Sequence, residues 1–214
     1  MLERTKKKLE SMYRNEPQPG PDGAPCTLDS ITRISPEQGL FMADLHRQLQ
    51  PATSVEVGMA YGFSTLFLED AMHEHGYGHH IAIDPFEFTT WKGIGHRAVQ
   101  DLGFDSRFTL MQKTSVAALT ELHASGLRPE FIFIDGDHRF DGALVDFYCA
   151  NKLLAVGGVA VFDDMWMPSI QKLAAFIRAS FEASYEEVAS PVRNVFVIQK
   201  KGDDQRPWDH SATF

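Results

Sequence analysis

Long apolar runs are missing from this 214-residue chain. None reaches the ~18 residues that a membrane-spanning helix needs. The first residues, MLERTKKKLE, carry positive charge with no apolar segment behind them, so they do not read as a secretory leader. Cysteine is scarce as well. Cys26 and Cys149 are the only two and lie far apart, which argues against a disulfide framework and leads us to expect a cytoplasmic protein. Positive charge is the third shortage. The formal net charge is −9, and Lys6 to Lys8 form the one basic cluster, so nucleic-acid backbone is a poor partner and a small molecule the better expectation. What is present is ordinary for a soluble globular protein with a sizeable core: 43% hydrophobic and 23% charged residues.

The chain reads in three parts: an N-terminal helix and Pro/Gly-rich linker over residues 1–35, a main domain over 36–200, and a loose tail over 201–214. Residues 1–16 have amphipathic helical character and are expected to pack over a cleft or against another subunit, which would make a homo-oligomer. PQPGPDGAP, residues 17–25, is a linker or loop by composition. Residues 36–50 form a helix with Ser35 as N-cap and Pro36 at the first position.

A rhythm follows. Strands are expected over 53–58, 79–84, 107–112, 130–135 and 159–164. Helices fall between and after them, over 63–76, 89–103, 115–126, 140–158 and 169–181. Two further strands near 185–190 and 194–201 read as a hairpin. Strict alternation implies a mostly parallel sheet covered by helices on both faces, and the continuous apolar runs of the strands agree with burial on both sides. In such sheets a ligand lies beyond the carboxyl ends of the strands. Those ends carry Glu56, Gly58 and Gly62 after the first strand and Asp84 after the second. Thr114 and Ser115 follow the third, Asp135, Asp137 and His138 the fourth, and Asp163 and Asp164 the fifth.

VEVGMAYGFSTL, residues 55–66, is a strand, a tight turn and a helix start. Gly58 and Gly62 would let backbone amides approach a ligand, and the helix N-terminus favours polar or anionic groups. The spacing is G-x-x-x-G, not the dinucleotide G-x-G-x-x-G, which argues against a nicotinamide-dependent oxidoreductase. Asp84, at the end of the next strand, can accept both hydroxyls of a ribose. The alternative is a turn eased by two glycines, with an aspartate that caps.

Taken together, E-x-G-x-x-x-G with Asp84, FIFIDGDHRFDG and GGVAVFDDMW resemble the class I S-adenosylmethionine-dependent methyltransferases. The closer likeness is to the small metal-dependent O-methyltransferases related to catechol O-methyltransferase and to antibiotic-tailoring sugar methyltransferases. The resemblance spans roughly residues 36 to 200. It implies a Rossmann-like seven-stranded sheet with a C-terminal antiparallel hairpin, S-adenosylmethionine as methyl donor, and a hydroxyl of a small molecule as acceptor. It places the methionine part of the donor near Glu56, Gly58 and Ser64, the ribose at Asp84 and the adenine near Ser115, with Gly62 and Asp135 counted among the donor-contacting residues.

The same resemblance implies a divalent cation, Mg²⁺ or a similar hard ion, between Asp135, Asp163 and Asp164. It also makes His138 or Asp137 the base that takes the acceptor's proton. The bland alternative is that these acids cap helices and bond loop amides. HEHGYGHH, residues 73–80, belongs to a helix end, where imidazolium offsets the helix dipole. Trp91, His96 and Trp166 either line the cleft or pack. A metal-independent N- or C-methyltransferase and a non-catalytic cofactor-binding protein remain as rival readings.

Overall fold

The computed structural model describes residues 1–214. In chain order the elements are α1 (Glu3–Tyr13), β1 (Gln18–Pro19), β2 (Pro25–Cys26), α2 (Pro36–Leu49), β3 (Thr53–Val57), α3 (Phe63–His75), β4 (His79–Ile83) and α4 (Ile94–Asp101). A short 3-10 turn, Asp105–Arg107, precedes β5 (Phe108–Met111), α5 (Ser115–Ala124), β6 (Phe131–Ile134), α6 (Phe140–Leu153), β7 (Val159–Phe162), α7 (Pro168–Ser180), β8 (Tyr185–Glu187) and β9 (Phe196–Lys200). Seven strands form one mixed sheet in the order β5-β4-β3-β6-β7-β9-β8. The architecture is the expected Rossmann-like one, mostly parallel with an antiparallel C-terminal hairpin and helices around it. No helix is long and apolar enough to cross a membrane.

The chain divides into two compact units, residues 1–114 and 115–214. In the first, β3 and β4 pair in parallel from Thr53↔His79 to Val57↔Ile83, and β4 pairs β5 in parallel. Ser35 caps α2 with a full capping box: its hydroxyl accepts the Gln38 amide, and the Gln38 side chain accepts the Ser35 amide. Gly39, one residue on, allows α2 to lie directly on α3. A β-carbon there would stand 2.2 Å from the Phe67 ring. α1 also rests on α3. Its buried side carries Thr5, Leu9 and Met12, the Tyr13 ring lies tilted 4.7 Å from Phe63, and the Leu2 amide donates to Asp70 at 2.8 Å.

Two expectations in this unit need correction. Residues 17–25 are not a plain linker, because Gln18 pairs with Cys26 and Pro19 with Pro25 in a small antiparallel hairpin. Its turn is closed by Gly20 N–H donating to Ala24 O at 2.8 Å, with Gly23 at φ +82°. The helix expected over 89–103 is only Ile94–Asp101. Lys92 and Gly93 both adopt left-handed backbone, φ +59° and +67°, which no right-handed helix contains.

In the second unit β6 and β7 pair in parallel and every residue of both is buried, as a sheet covered on both faces requires. β9 runs antiparallel to β7 and to β8. The helix expected to run to residue 158 stops at Leu153. Leu154 leaves helical backbone at ψ 129°, and the buried Lys200 ammonium donates to the carbonyls of Asn151 and Leu154, 3.0 Å each. A cation at a helix C-terminus satisfies exposed carbonyls and opposes the dipole. The tail after Lys200 has no regular structure but is anchored rather than loose. The Arg206 guanidinium lies 3.4 Å over the Phe181 ring, and Phe214 meets Phe176 edge-on at 5.0 Å.

One buried acid sets a pH limit on the first unit. Glu69 in α3 is 2% exposed, its Oε1 has no partner, and burial, reinforced by the charge of Glu56, pushes its carboxyl up to about 9 against the pull of Arg107. A raised carboxyl contributes stability that is whole below the unfolded value near 4.5 and is lost as pH climbs through about 9. Glu69→Gln is therefore expected to be more stable than the parent at alkaline pH, by ~1–3 kcal/mol. The advantage should shrink toward pH 5. Urea melts at three pH values check this, and parallel pH profiles for both proteins would refute it.

Candidate active site

The turn after β3 follows from three left-handed residues. Gly58 and Gly62 have φ of +88° and +84°, and Ala60 has +46°. A β-carbon on Gly62 would come within 2.9 Å of the Gly95 Cα, so this position also needs a bare backbone. Asp84, 3% exposed, fastens the turn. Its Oδ2 accepts the amides of Met59 (3.1 Å) and Ala60 (2.9 Å), and its Oδ1 accepts the Phe86 amide at 2.8 Å.

Glu56 and Ser64 face into the protein. The Ser64 hydroxyl donates to Glu56 Oε1, and the Thr65 hydroxyl donates to Oε2 at 2.6 Å. His80 Nε2 lies 3.2 Å from Oε2, and His80 Nδ1 lies 2.8 Å from the Ser54 hydroxyl. Glu56, Ser54 and His80 are each 0% exposed. This network locks the carboxyl end of β3 to the first turn of α3. His80 is thus a core residue of β4, not part of a helix end. The histidines of 73–80 do not converge: His75 stacks on His46, His73 tilts against Phe104, and His79 meets Thr109. Trp91 and His96 are packed on aromatic neighbours, Tyr61 for the first and Phe88 and Phe108 for the second.

In the second unit the ends of β6 and β7 bring acids together. The Asp163 amide donates to Ile134 O at 3.1 Å, which holds the two strand ends side by side. Asp135, His138 and Asp164 then offer ligand atoms that all lie within 4.8 Å of one another. His138 Nε2 is 3.0 Å from Asp135 Oδ1 and 3.0 Å from Asp164 Oδ2. The hydrogen bond to Asp135 raises the His138 pKa, and the charges of Asp135, Asp164 and Asp163 add to this while partial burial opposes it. Ser169 holds the loop from the other side, its hydroxyl donating to His138 O at 2.5 Å.

Asp163, the third acid expected in this group, is placed otherwise. It is 6% exposed, and its Oδ1 accepts the Asp164 amide at 2.7 Å and the Asn194 side-chain amide at 2.8 Å. Asp164 itself has φ +60°, and this turn aims its carboxylate back toward His138. Asn194 was not anticipated. Besides Asp163 it touches Asp164 at 3.5 Å, and its backbone and side-chain oxygens accept the amides of Met165 and Trp166. The only sequence signal was a polar residue just before an apolar strand. Trp166 is 67% exposed, and its indole N–H donates to Asp164 Oδ1 at 2.7 Å.

Asp137 is occupied by Arg139. The guanidinium forms a two-pronged pair with it, Nε to Oδ1 at 3.0 Å and Nη2 to Oδ2 at 2.5 Å. That pairing, with the Arg139 amide, lowers its pKa to about 2. A carboxylate so stabilised is a weak base. Ser115 opens α5 in the second unit.

Two carboxylates, Asp135 and Asp164, converging on one point fit a divalent cation with water completing its shell, and the His138 imidazole stands beside them. These three side chains are partly exposed, with accessibilities of 25%, 38% and 21% for Asp135, His138 and Asp164, so a small ligand can reach them.

Residues 55–165 match the family described as methyltransferase domain. Among curated proteins, flavonoid 3',5'-methyltransferase of Vitis vinifera is 24% identical over 147 residues, covering 67% of this chain and 60% of that protein. The chain thus spans about 60% of that relative's length. The O-methyltransferase of Bacillus cereus, solved in complex with SAH, superposes with a TM-score of 0.70 at 17% identity, covering 94% of this chain and 92% of that one. An SAH-bound methyltransferase of Podospora anserina gives a TM-score of 0.70 at 16% identity, covering 94% and 89%. At these identities the structural likeness speaks for the fold.

Proposed function

The chain belongs to the methyltransferase-domain family, and from that premise we propose that it transfers a methyl group from S-adenosylmethionine to a hydroxyl of a small molecule, with a divalent cation at the acidic cluster. The observation that carries the acceptor side is the convergence of Asp135 and Asp164 on His138 Nε2, 3.0 Å from each. The small-molecule acceptor agrees with a net charge of −9, which repels phosphate backbones. Two free thiols agree with a cytoplasmic location.

The donor, when bound, supplies an electrophilic sulfonium methyl. The turn from Gly58 to Gly62 would hold it through backbone amides, kept in shape by Asp84 beneath and by the Glu56–Ser64–Thr65–His80 network behind. Asp84, with one acceptor site left on Oδ1, would take a ribose hydroxyl, and Ser115 would stand at the adenine. Asp135 and Asp164 would hold the cation, whose chemistry is to acidify and orient a hydroxyl. Asp163 and Asn194 keep Asp164 in its turn. His138 accepts the hydroxyl proton, and the two acids stabilise the imidazolium that results. The Asp137–Arg139 pair favours His138 over Asp137 as base. Positioning of the hydroxyl in line with the methyl supplies much of the acceleration, since the sulfonium is already activated.

Calorimetry with S-adenosylhomocysteine tests the donor side. The intact protein is expected to bind it, and Asp84→Asn to weaken binding by ~1.5–3 kcal/mol through loss of charged hydrogen bonds. Absence of heat from either S-adenosylmethionine or S-adenosylhomocysteine would end this reading. Full turnover of a hydroxyl acceptor in chelator would instead favour a metal-independent transfer.

A further inference from the structure

We propose that Glu87 is a positioning residue for the methyl donor: it clips the first turn of α4 in place, and that turn backs the Gly58–Gly62 turn. This deepens the methyl-transfer reading and rests on it through the place given to the glycine turn.

Glu87 lies between β4 and α4, in the same stretch as Asp84, and is 0% exposed. Acids are almost never fully buried unless they hold something. This one holds a helix start twice over. Its carboxyl Oε1 accepts the His96 amide at 2.9 Å, and its backbone carbonyl accepts the Gly93 amide at 2.6 Å. The need is local. α4 begins after Gly93, which has no side chain to cap with, so the amides of the first turn must find an acceptor elsewhere. His96 is the third residue of the helix, a position that an N-cap side chain commonly serves. Glu87 serves it from nine residues upstream. The stretch folds back to do so, with the Phe86 carbonyl accepting the amides of Thr89 and Trp91 at 3.0 and 3.2 Å.

What is clipped is the wall of the glycine turn. A β-carbon on Gly95 would fall 3.0 Å from the Ala60 carbonyl oxygen and 3.0 Å from the Gly62 nitrogen, and one on Gly62 would fall 2.9 Å from the Gly95 Cα. Two bare backbones touch, so a shift of α4 is a shift of the turn. Trp91 adds a second contact from the same stretch, edge-on to Tyr61 at 5.3 Å. One stretch thus brings two buried carboxyls to one turn. Asp84 takes the Met59 and Ala60 amides directly, and Glu87 acts through α4. The other oxygen of Glu87, Oε2, is buried without a hydrogen-bond partner, a poor place for a charge. Burial pushes this carboxyl up to about 8, against the pull of the His96 amide and with the charge of Asp84 adding to the rise. At neutral pH it is chiefly the uncharged acid, which glutamine imitates.

The test is calorimetry with S-adenosylhomocysteine at neutral pH, on the parent, Glu87→Gln, Glu87→Leu and Gly95→Ala. The Gln variant keeps the acceptor oxygen, and the Leu variant keeps bulk without one. Glu87→Gln is expected to bind within about twofold of the parent, and Glu87→Leu and Gly95→Ala about fivefold or more weakly, the low end of usual coupling between sites. A second readout separates positioning from mere stability. Hydrogen exchange of the His96 amide, followed by NMR, should slow on saturation with S-adenosylhomocysteine in the parent and in Glu87→Gln, and stay unchanged in Glu87→Leu. If Glu87→Leu does not fold, Gly95→Ala and the His96 response of the parent decide. Parental affinity in Glu87→Leu or in Gly95→Ala, equal weakening in Glu87→Gln, or binding by the parent with no response at His96 would each overturn the proposal and leave the methyl-transfer reading intact. Failure of the parent to bind the ligand would overturn both.

Discussion

Asp135→Asn is expected to lower turnover of a hydroxyl acceptor by ~10²–10³-fold, the several kcal/mol that a positioned Lewis acid contributes. The same substitution should largely spare binding of S-adenosylhomocysteine, because the glycine turn and Asp84 belong to another set of strand ends. The physical reason is charge. Asp135 and Asp164 are the carboxylates that approach one point, each 3.0 Å from His138 Nε2, and replacing one halves the negative charge offered to a cation. Chelation should reproduce the loss in the parent, and Mg²⁺ or Mn²⁺ should reverse it. Manganese titration followed by electron paramagnetic resonance gives a readout apart from activity. The parent should bind and Asp135→Asn should bind at least tenfold more weakly, a shift of ~1.4 kcal/mol or more. A parent that turns over fully in chelator and a variant with normal manganese affinity would leave the acids as capping groups.

His138→Gln is expected to cost ~10²-fold or more at neutral pH, the usual scale for a lost general base. The sign of its pH dependence follows from its surroundings. The bond to Asp135, with the charges of Asp135, Asp164 and Asp163, holds the imidazole pKa above 6.5 despite partial burial. A protonated imidazole cannot take a proton, so activity of the parent should rise as pH climbs through the histidine's titration. The deficit of His138→Gln should narrow at high pH, where the acceptor hydroxyl ionises unaided. Stability runs the other way. A raised histidine stabilises the fold fully below 6.5 and loses that contribution as pH rises through the folded value. In metal-free protein the parent's excess over His138→Gln should therefore fade toward alkaline pH. A flat activity ratio across pH 6 to 9 would remove His138 from proton transfer.

Much of the frame was legible because local signals agreed with the global fold. Ser35 and Pro36 announce a helix start by themselves, and α2 begins at that place. The apolar runs FIFI and VAVF read as buried parallel strands, and both are buried throughout. What failed was decided at a distance. α6 ends at Leu153, before the glycines at 157 and 158, and its last carbonyls are met by Lys200, a residue distant in sequence. The site shows the same division. Asp135, His138 and Asp164 could be nominated because they follow strands, but Asp163 looks identical to Asp164 in sequence. Only the left-handed backbone at Asp164 and the amide of Asn194 send the two side chains to different tasks. Likewise the capture of Asp137 by Arg139 and the burial of His80 beside Glu56 are matters of side-chain direction, which spacing does not encode.

Gly39 offers a lesson for anyone redesigning this chain. By propensity alone a glycine inside an exposed-looking helix is a defect worth ~1 kcal/mol, and replacing it with alanine is a routine repair. Here the repaired β-carbon would land 2.2 Å from the Phe67 ring, inside its electron cloud. The two positions are one unit of shape: bulk can be added at 39 only if it is surrendered at 67. Libraries that vary residue 39 alone should return the parent glycine, whereas libraries that vary both can find a new helix pairing with the empty half of the bargain on the opposite side.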